Sequence, residues 1–575
     1  MAFIEVSGLK YRYPHTSKLA LDGINFEVEK GQFIGIVGEN QAGKSTLCQA
    51  FAGLVPTMFR GAYGGKVLID GMEASKVPIA ALCQKVGLVF QNPFNQLSGA
   101  KDTVFDEIAF GLQNLGIPRE EIGKRVEKAL QILDIIRYKD RNPFDLSGGQ
   151  IQRVAIASIL AMEPEVLVLD EPTSQLDPQG SEEVFRVVEK LAKTGITIIM
   201  VEQKMEKLAA YCDKILLLHQ GTQVAYDVPE CIFSREDLRK LGVEPPVYTQ
   251  VSKALFVHRK EGEELIYPVT LNQIQQLKDQ FPLSLPGRIR GRNGVKQETE
   301  IFSIKDLGFY YIPGAPVIEN LTLTLDARPT AVIGQNGAGK TTLVKLLKGL
   351  LKPKAGTVLL EGEDISGRTV AQLAKKVGYV FQNPDDQIFK NQVLEEVMVG
   401  PLNIGMTKKE AKQRAREALE MVGLLHAAEE NPYDLDLSER KMVAIASVAA
   451  MDPKVLILDE PTIAQDARGR EVLGKLIRTM TGKGKFVLAI LHDMDFVARY
   501  FERVIVMAGG KVISDGPGEE VFYQKDILLK ARLEPPHITR LCELLGYEGA
   551  FLTTEDIREQ GRYNETWMEA EEEKK

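Results

Sequence analysis

The chain spells most of its landmarks twice, and a duplication of this kind fixes the architecture before any single residue is interpreted. Leu9–Pro14 (Leu-Lys-Tyr-Arg-Tyr-Pro) recurs as Leu307–Pro313, and Lys85–Pro93 (Lys-Val-Gly-Leu-Val-Phe-Gln-Asn-Pro) recurs as Lys376–Pro384. Val154–Ser158 returns as Val443–Ser447, and Val166–Thr173 (Val-Leu-Val-Leu-Asp-Glu-Pro-Thr) as Val455–Thr462. Glu244-Pro245-Pro246 is answered by Glu534-Pro535-Pro536. The offset is 296 residues from Lys44 to Lys340 and 289 from Asp170 to Asp459, so the copies differ by short insertions. A chain of 575 residues is too long for one core,. We expect a first domain over 1–245, a linker over 246–300, a second domain over 301–535 and an extension over 536–575 with an acidic tail. The linker carries Pro282, Pro286 and the basic run Arg288–Arg292, which reads as a solvated loop,.

Within each copy, short apolar runs alternate with amphipathic stretches. Phe33–Val37, Val166–Leu169 and Thr197–Val201 read as buried strands, and a Gly-rich turn leads from the first of them into a helix at Ser45,. That alternation predicts an α/β fold with a largely parallel sheet, and the longer stretch from Gln91 to Leu160 predicts a separate helical lobe. The net charge of −8 and the pI of about 5.6 give no basic field for nucleic acid,. The apolar runs have strand length, well short of the ~20 residues that cross a bilayer. The start, Met-Ala-Phe-Ile-Glu-Val, has no basic secretory n-region,. The five cysteines have no metal or disulfide spacing, and together these features predict a cytoplasmic protein,.

The turns carry the chemistry. Gly38-Glu39-Asn40-Gln41-Ala42-Gly43-Lys44-Ser45 and Gly334-Gln335-Asn336-Gly337-Ala338-Gly339-Lys340-Thr341 both fit G-x-x-x-x-G-K-[ST]. In that loop, backbone N–H groups at a helix start wrap phosphates, the lysine reaches the outer oxygens and the hydroxyl holds Mg²⁺. The phosphate set is therefore Gly38, Gly43, Lys44, Ser45 and Thr46 in one copy, and Gly334, Asn336, Gly337, Gly339, Lys340, Thr341 and Thr342 in the other. Asp170 and Asp459, at strand ends, are candidate Mg²⁺ ligands with Ser45 and Thr341. Gln91 and Gln382 can offer a neutral oxygen to metal or water. Glu171 and Glu460, next along, are placed to take a proton from an attacking water. Tyr13 and Tyr311 are candidates to stack on a base.

With Leu146-Ser147-Gly148-Gly149-Gln150 added, the set resembles the ATP-binding-cassette (ABC) ATPases, in which two cassettes pair head to tail. The resemblance implies two P-loop NTPase cassettes, each with a parallel-sheet core, an antiparallel β subdomain and a helical subdomain, and places each ATP between one domain's phosphate loop and the other's signature segment. One site then combines Lys340, Thr341, Gln382, Asp459, Glu460 and the switch histidine His492 with Ser147, Gly148, Gly149 and Gln150. The other combines Lys44, Ser45, Gln91, Asp170 and Glu171 with the second signature. There the pattern departs: Gln203 stands where a switch histidine is expected, and Gln41 stands where the other loop has Gly337. The second signature reads Leu437-Ser438-Glu439-Arg440-Lys441, as though both glycines were deleted and Ser438 were the phosphate-facing serine. The loop Ile463-Ala464-Gln465-Asp466 differs from Ser174-Gln175-Leu176-Asp177. The departures gather on one site, which predicts one site that fires and one that holds.

Val380–Gln387 (Val-Phe-Gln-Asn-Pro-Asp-Asp-Gln) and Val89–Gln96 look like the corresponding tract of energy-coupling-factor (ECF) importer ATPases. This implies a subunit peripheral on the inner face of the cell membrane, working with a membrane scaffold (T-type) protein and a substrate-binding membrane protein. A vitamin or metal ion would be the cargo, and Phe94, Asn95, Gln96, Asp385, Asp386 and Gln387 would lie near the scaffold contact. The alternative is a soluble tandem ABC ATPase that remodels an enzyme, of the methyl-coenzyme M reductase activation type.

Overall fold

A computed structural model describes residues 2–261, 264–282, 285 and 300–558. It divides into two units, Met1–Gln276 and Leu277–Lys575. The basic run at 288–292 and the acidic tail lie outside the described residues.

Each unit is built on the same two sheets. In the first, a six-stranded sheet places Phe33–Val37 between Thr197–Val201 and Lys214–His219, with Val166–Asp170 and Val86–Val89 beyond. These strands run parallel, and Phe33–Val37, Val86–Val89, Val166–Asp170 and Thr197–Val201 are buried along their whole length, because helices cover both faces,. Only the edge strand Thr222–Asp227 is antiparallel. A four-stranded antiparallel sheet, built on Ile4–Arg12, packs its apolar face against the helix Lys44–Phe51. The second unit repeats both sheets with the same strand order, centred on Thr330–Ile333 and flanked by Phe486–Ile490 and Arg503–Ala508.

The expected helical lobe is present in both units. Val104–Asn114, Arg119–Ile132 and Gly148–Leu160 form it in the first; Val393–Asn403, Lys408–Met421 and Leu437–Ala449 form it in the second. The tract drawn as a linker holds regular elements. A helix Val247–Ala254 follows Pro246, its first amide donating to Glu206 Oε1 at 2.9 Å, and the strands Arg259–Glu261 and Glu264–Ile266 pair beyond it. The second unit does the same after Pro536, where the amide of His537 donates to Asp495 Oδ1 at 2.9 Å.

Candidate functional site

In both units the phosphate loop joins the buried central strand to a helix, and its glycines are structurally required. Gly38 and Gly334 have φ of +155° and +150°, and a Cβ on either would lie within 2.3 Å of a carbonyl oxygen of the neighbouring strand,. Gly43 and Gly339 lead into the helices with φ of +98° and +94°. Lys44 Nζ folds back on the carbonyls of Gly38 (2.9 Å) and Glu39 (2.7 Å), and Lys340 Nζ on those of Gly334 (2.6 Å) and Gln335 (3.0 Å). Thr46 and Thr342, one residue beyond the metal-side hydroxyls, are buried. At the Gln41/Gly337 position both residues are left-handed, with φ of +62° and +79°. Space around Gly337 is open, so Gln41 bears backbone strain without steric conflict,.

Tyr13 and Tyr311 sit beside these helices. Tyr13 is partly buried, and its hydroxyl lies 3.1 Å from both Thr46 Oγ1 and Gln49 Oε1. Tyr311 is more open, with its hydroxyl 3.3 Å from Thr342 Oγ1.

The acidic pairs end the strands Val166–Asp170 and Val455–Asp459. Asp170 Oδ1 is buried with no hydrogen-bond partner, and Ser45 hydrogen-bonds the same carboxylate. An orphaned buried carboxylate oxygen beside the loop hydroxyl fits a divalent cation. In the second unit Asp459 Oδ1 lies 3.4 Å from Thr341 Oγ1, and Oδ2 accepts from the hydroxyl of Tyr379 at 2.8 Å. Burial raises both aspartates.

Glu171 and Glu460 are left-handed at φ of +46° and +49°, a conformation unfavourable for a residue with a Cβ and held by the strand end,. Each carboxylate is clamped in the same way. Gln91 Nε2 donates to Glu171 Oε2 and Gln382 Nε2 to Glu460 Oε2, both at 2.8 Å. The other oxygen meets Gln203 Nε2 at 3.0 Å in the first unit and His492 Nε2 at 2.9 Å in the second. Gln203 therefore occupies the switch position with a neutral side chain, and the electrostatics diverge. Burial pushes Glu171 up to about 7, with Lys44 opposing and Asp170 adding. Burial acts on Glu460 too, but the His492 hydrogen bond and the charges of His492, Lys340 and Lys441 outweigh it and leave that carboxyl lowered. Burial therefore dominates at Glu171, and the neighbouring cations dominate at Glu460.

The structure corrects the reading of the second signature. No residues are deleted. Asn142-Pro143-Phe144-Asp145-Leu146 and Asn431-Pro432-Tyr433-Asp434-Leu435 form matching turns, and the helices that follow are both 13 residues long. Asp436 thus occupies the N-cap place of Ser147, and Leu437, Ser438 and Glu439 those of Gly148, Gly149 and Gln150. The cap survives: Glu439 N donates to Asp436 Oδ1 at 2.8 Å, and Asp436 N donates to Glu439 Oε2 at 3.2 Å,. In the first unit Ser147 N donates to Gln150 Oε1 at 3.1 Å. Ser438 is not the phosphate-facing serine. Its hydroxyl donates to Gln465 Oε1 at 2.9 Å, and Gln465 Nε2 returns a bond to the Ser438 carbonyl at 3.1 Å. A hydrogen-bonded pair stands where the first unit has Gly149 and Leu176, so two departures are one repacking. Anchoring the alignment on the upstream Asn-Pro-aromatic-Asp-Leu turn would have found Asp436. Tyr379 and Lys441, which stand where the first unit has Leu88 and Gln152, carried no motif signal.

The tract after each site glutamine is folded inward at its end. Gln96 Nε2 donates to the Ala155 carbonyl at 2.6 Å and Gln387 Nε2 to that of Ala444 at 2.8 Å, so both amides brace the signature helix and neither points outward. Asp385 pairs with Arg440 at 3.1 Å. Asn95, Asp385 and Asp386 are exposed, and beside them lie surface aromatics: Phe94 and Phe144 stack at 6.3 Å, each about half exposed, and Phe389 and Tyr433 are exposed in the second unit.

A phosphate loop, a strand-end Asp-Glu pair, a switch residue and a capped signature helix on this pair of sheets define a nucleotide-hydrolysing cassette, present here twice. The chain belongs to the ABC transporter family, which matches residues 21–174 and 318–463. It is 40% identical to an ABC transporter ATP-binding protein of Methanosarcina acetivorans, over 94% of this chain and 90% of the relative. It is 36% identical to one of Caldanaerobacter subterraneus, over 96% and 98%. A solved structure of cbiO1 from Clostridium perfringens, described as part of the ABC transporter complex cbiONQ, is 37% identical over 42% of this chain and 94% of its own, with a TM-score of 0.37. As a member of the family, the chain binds ATP with Mg²⁺ and hydrolyses it. Among the described residues, no helix is long and apolar enough to cross a membrane.

Proposed function

We propose that the chain is the ATPase of an ECF-type importer, in which the second cassette turns over ATP and the first mainly retains it. One observation carries the asymmetry: identical clamps hold Glu171 and Glu460, but the residue on their outer oxygen is Gln203 in one and His492 in the other. Lys340 and the loop amides bind the outer phosphates. Glu460, kept ionised, accepts the proton of the attacking water, with Gln382 and His492 fixing its two oxygens. When bound, Mg²⁺ would supply positive charge that offsets the charge of the phosphates. Thr341 and Asp459 would hold it in the second cassette, with Gln382 nearby; Ser45, Gln91 and Asp170 would do so in the first.

The helix capped by Asp436 begins with a carboxylate where Ser147 gives the first unit a hydroxyl. A carboxylate there opposes the charge that develops on a transferred phosphoryl group. Loss of one donor that stabilises transition-state charge costs ~10²–10³ in rate. Glu460→Gln is therefore expected to cut steady-state turnover more than 100-fold, while Glu171→Gln keeps most of it; equal losses would overturn the assignment.

The importer reading rests on the ECF-like tracts and on the exposed Phe94–Phe144 pair beside the first of them, which suits an apolar helix of a scaffold protein. Affinity purification from membranes tests it. A multi-span protein should copurify, and Phe94→Asp with Phe144→Asp should release it. Capture of soluble partners alone would favour the remodelling ATPase.

A further inference from the structure

We propose that Tyr379 and Lys441 are positioning residues of the second cassette, holding the Asp459–Glu460 strand end from opposite sides, and that the first cassette lacks both. This rests on the reading that Asp459 and Glu460 do the chemistry.

Tyr379 lies on the strand Val377–Val380, which pairs in parallel register with Val455–Asp459. Its ring is buried against Phe381 at 4.9 Å, and its hydroxyl donates to Asp459 Oδ2 at 2.8 Å. A carboxylate whose Oδ2 is held in this way can no longer swing freely about its last torsion. Oδ1 is then presented to Thr341, where the cation would be held. Leu88 occupies the same register in the first cassette and offers no donor, and there Asp170 Oδ1 is without a partner.

Lys441 reaches the same strand end from the signature helix. It is 1% exposed, and Nζ donates to the Glu460 carbonyl at 2.5 Å. The Glu460 amide already donates to Ile490 at 3.0 Å, so the left-handed peptide is held at both ends. Gln152 takes this place in the first cassette, equally buried, with Nε2 lacking any hydrogen-bond partner. A buried ammonium costs stability that a neutral amide does not. Its use here fits a task beyond packing, and because Lys441 rides on the signature helix, a shift of that helix is felt at the Glu460 backbone.

The test uses the full chain. Tyr379→Phe and Lys441→Gln are each measured in two ways: by kcat and KM, and, in a Lys44→Ala background, by the Mg²⁺ dependence of the ATP-induced rise in melting temperature. Tyr379→Phe should need about tenfold more Mg²⁺ for half of that rise, the size of one hydrogen bond to a charged group. Lys441→Gln should lower kcat by about tenfold at unchanged KM while raising the ligand-free melting temperature, since the buried charge is gone. An unchanged Mg²⁺ requirement, or a Lys441→Gln chain that loses melting temperature and kcat together, would overturn the proposal. Glu460→Gln separates the two levels: if it keeps turnover, the underlying reading is wrong. If it abolishes turnover while both other variants behave as the native chain, only the positioning role is wrong.

Discussion

The unfavourable backbone of Gln41 and the buried ammonium of Lys348 show how single residues set the cost of the two loops. Gln41 holds φ of +62° with a Cβ, where its counterpart Gly337 holds +79° without one. Nothing lies within 4 Å of a Cβ built on Gly337, so Gly337→Gln should cost backbone strain alone, about 1 kcal/mol in chemical denaturation,. Lys348 ends the helix that follows the second loop; it is buried, and Nζ donates to the Val377 carbonyl at 2.5 Å. Burial draws its ammonium from the ordinary 10.5 down to about 8. A lysine lowered in the folded state is penalised in full below pH 8. The penalty lifts as pH rises toward 10.5, because the unfolded chain binds the proton that the folded one has released. Lys348 should therefore add about 2 kcal/mol of stability between pH 8 and 10, and Lys348→Met should remove that part of the rise, leaving the part due to Lys441, which burial also draws down to about 8,. Unfolding followed at several pH values checks the sign.

At the scale of elements, the signature helices show what a cap does and does not decide. Ser and Asp are both strong N-caps, so Asp436→Ser should leave stability within about 0.5 kcal/mol, whereas Asp436→Ala should cost about 1 kcal/mol. Circular dichroism melts distinguish the two. The duplication, the parallel sheets, the helical lobes and the glycine loops were legible in the sequence, because each rests on a local pattern: apolar runs, glycine turns, a motif at fixed offset; the amide clamps on Glu171 and Glu460 were not. Nor was the second signature. Its Leu-Ser dipeptide imitates the first one two residues out of register, and only the fixed length of the helix shows that Asp436 is the cap. The pairings of Tyr379 with Asp459 and of Ser438 with Gln465 are tertiary, joining residues 80 and 27 positions apart, and no spacing rule reaches them.

At the scale of the whole molecule, each unit holds its own pair of apolar cores, one on either side of its parallel sheet. Separate cores predict separate cooperative transitions in calorimetry. Saturating Mg²⁺–ATP should raise both, by about 2.7 kcal/mol at 100 times the dissociation constant. Lys44→Ala should remove the shift of the first transition alone, and Lys340→Ala that of the second; loss of both shifts from either variant would show that the units bind nucleotide as one.

The capped helix at Asp436 has a consequence for how such chains are surveyed. The helix is indifferent to whether a hydroxyl or a carboxylate begins it, but an anion arriving at that end is not. A library sorted by melting temperature would pass serine and aspartate alike at this position, while a library sorted by phosphate release would separate them. Folding makes no demand between the two, so the charge at this position can be selected without a cost in stability.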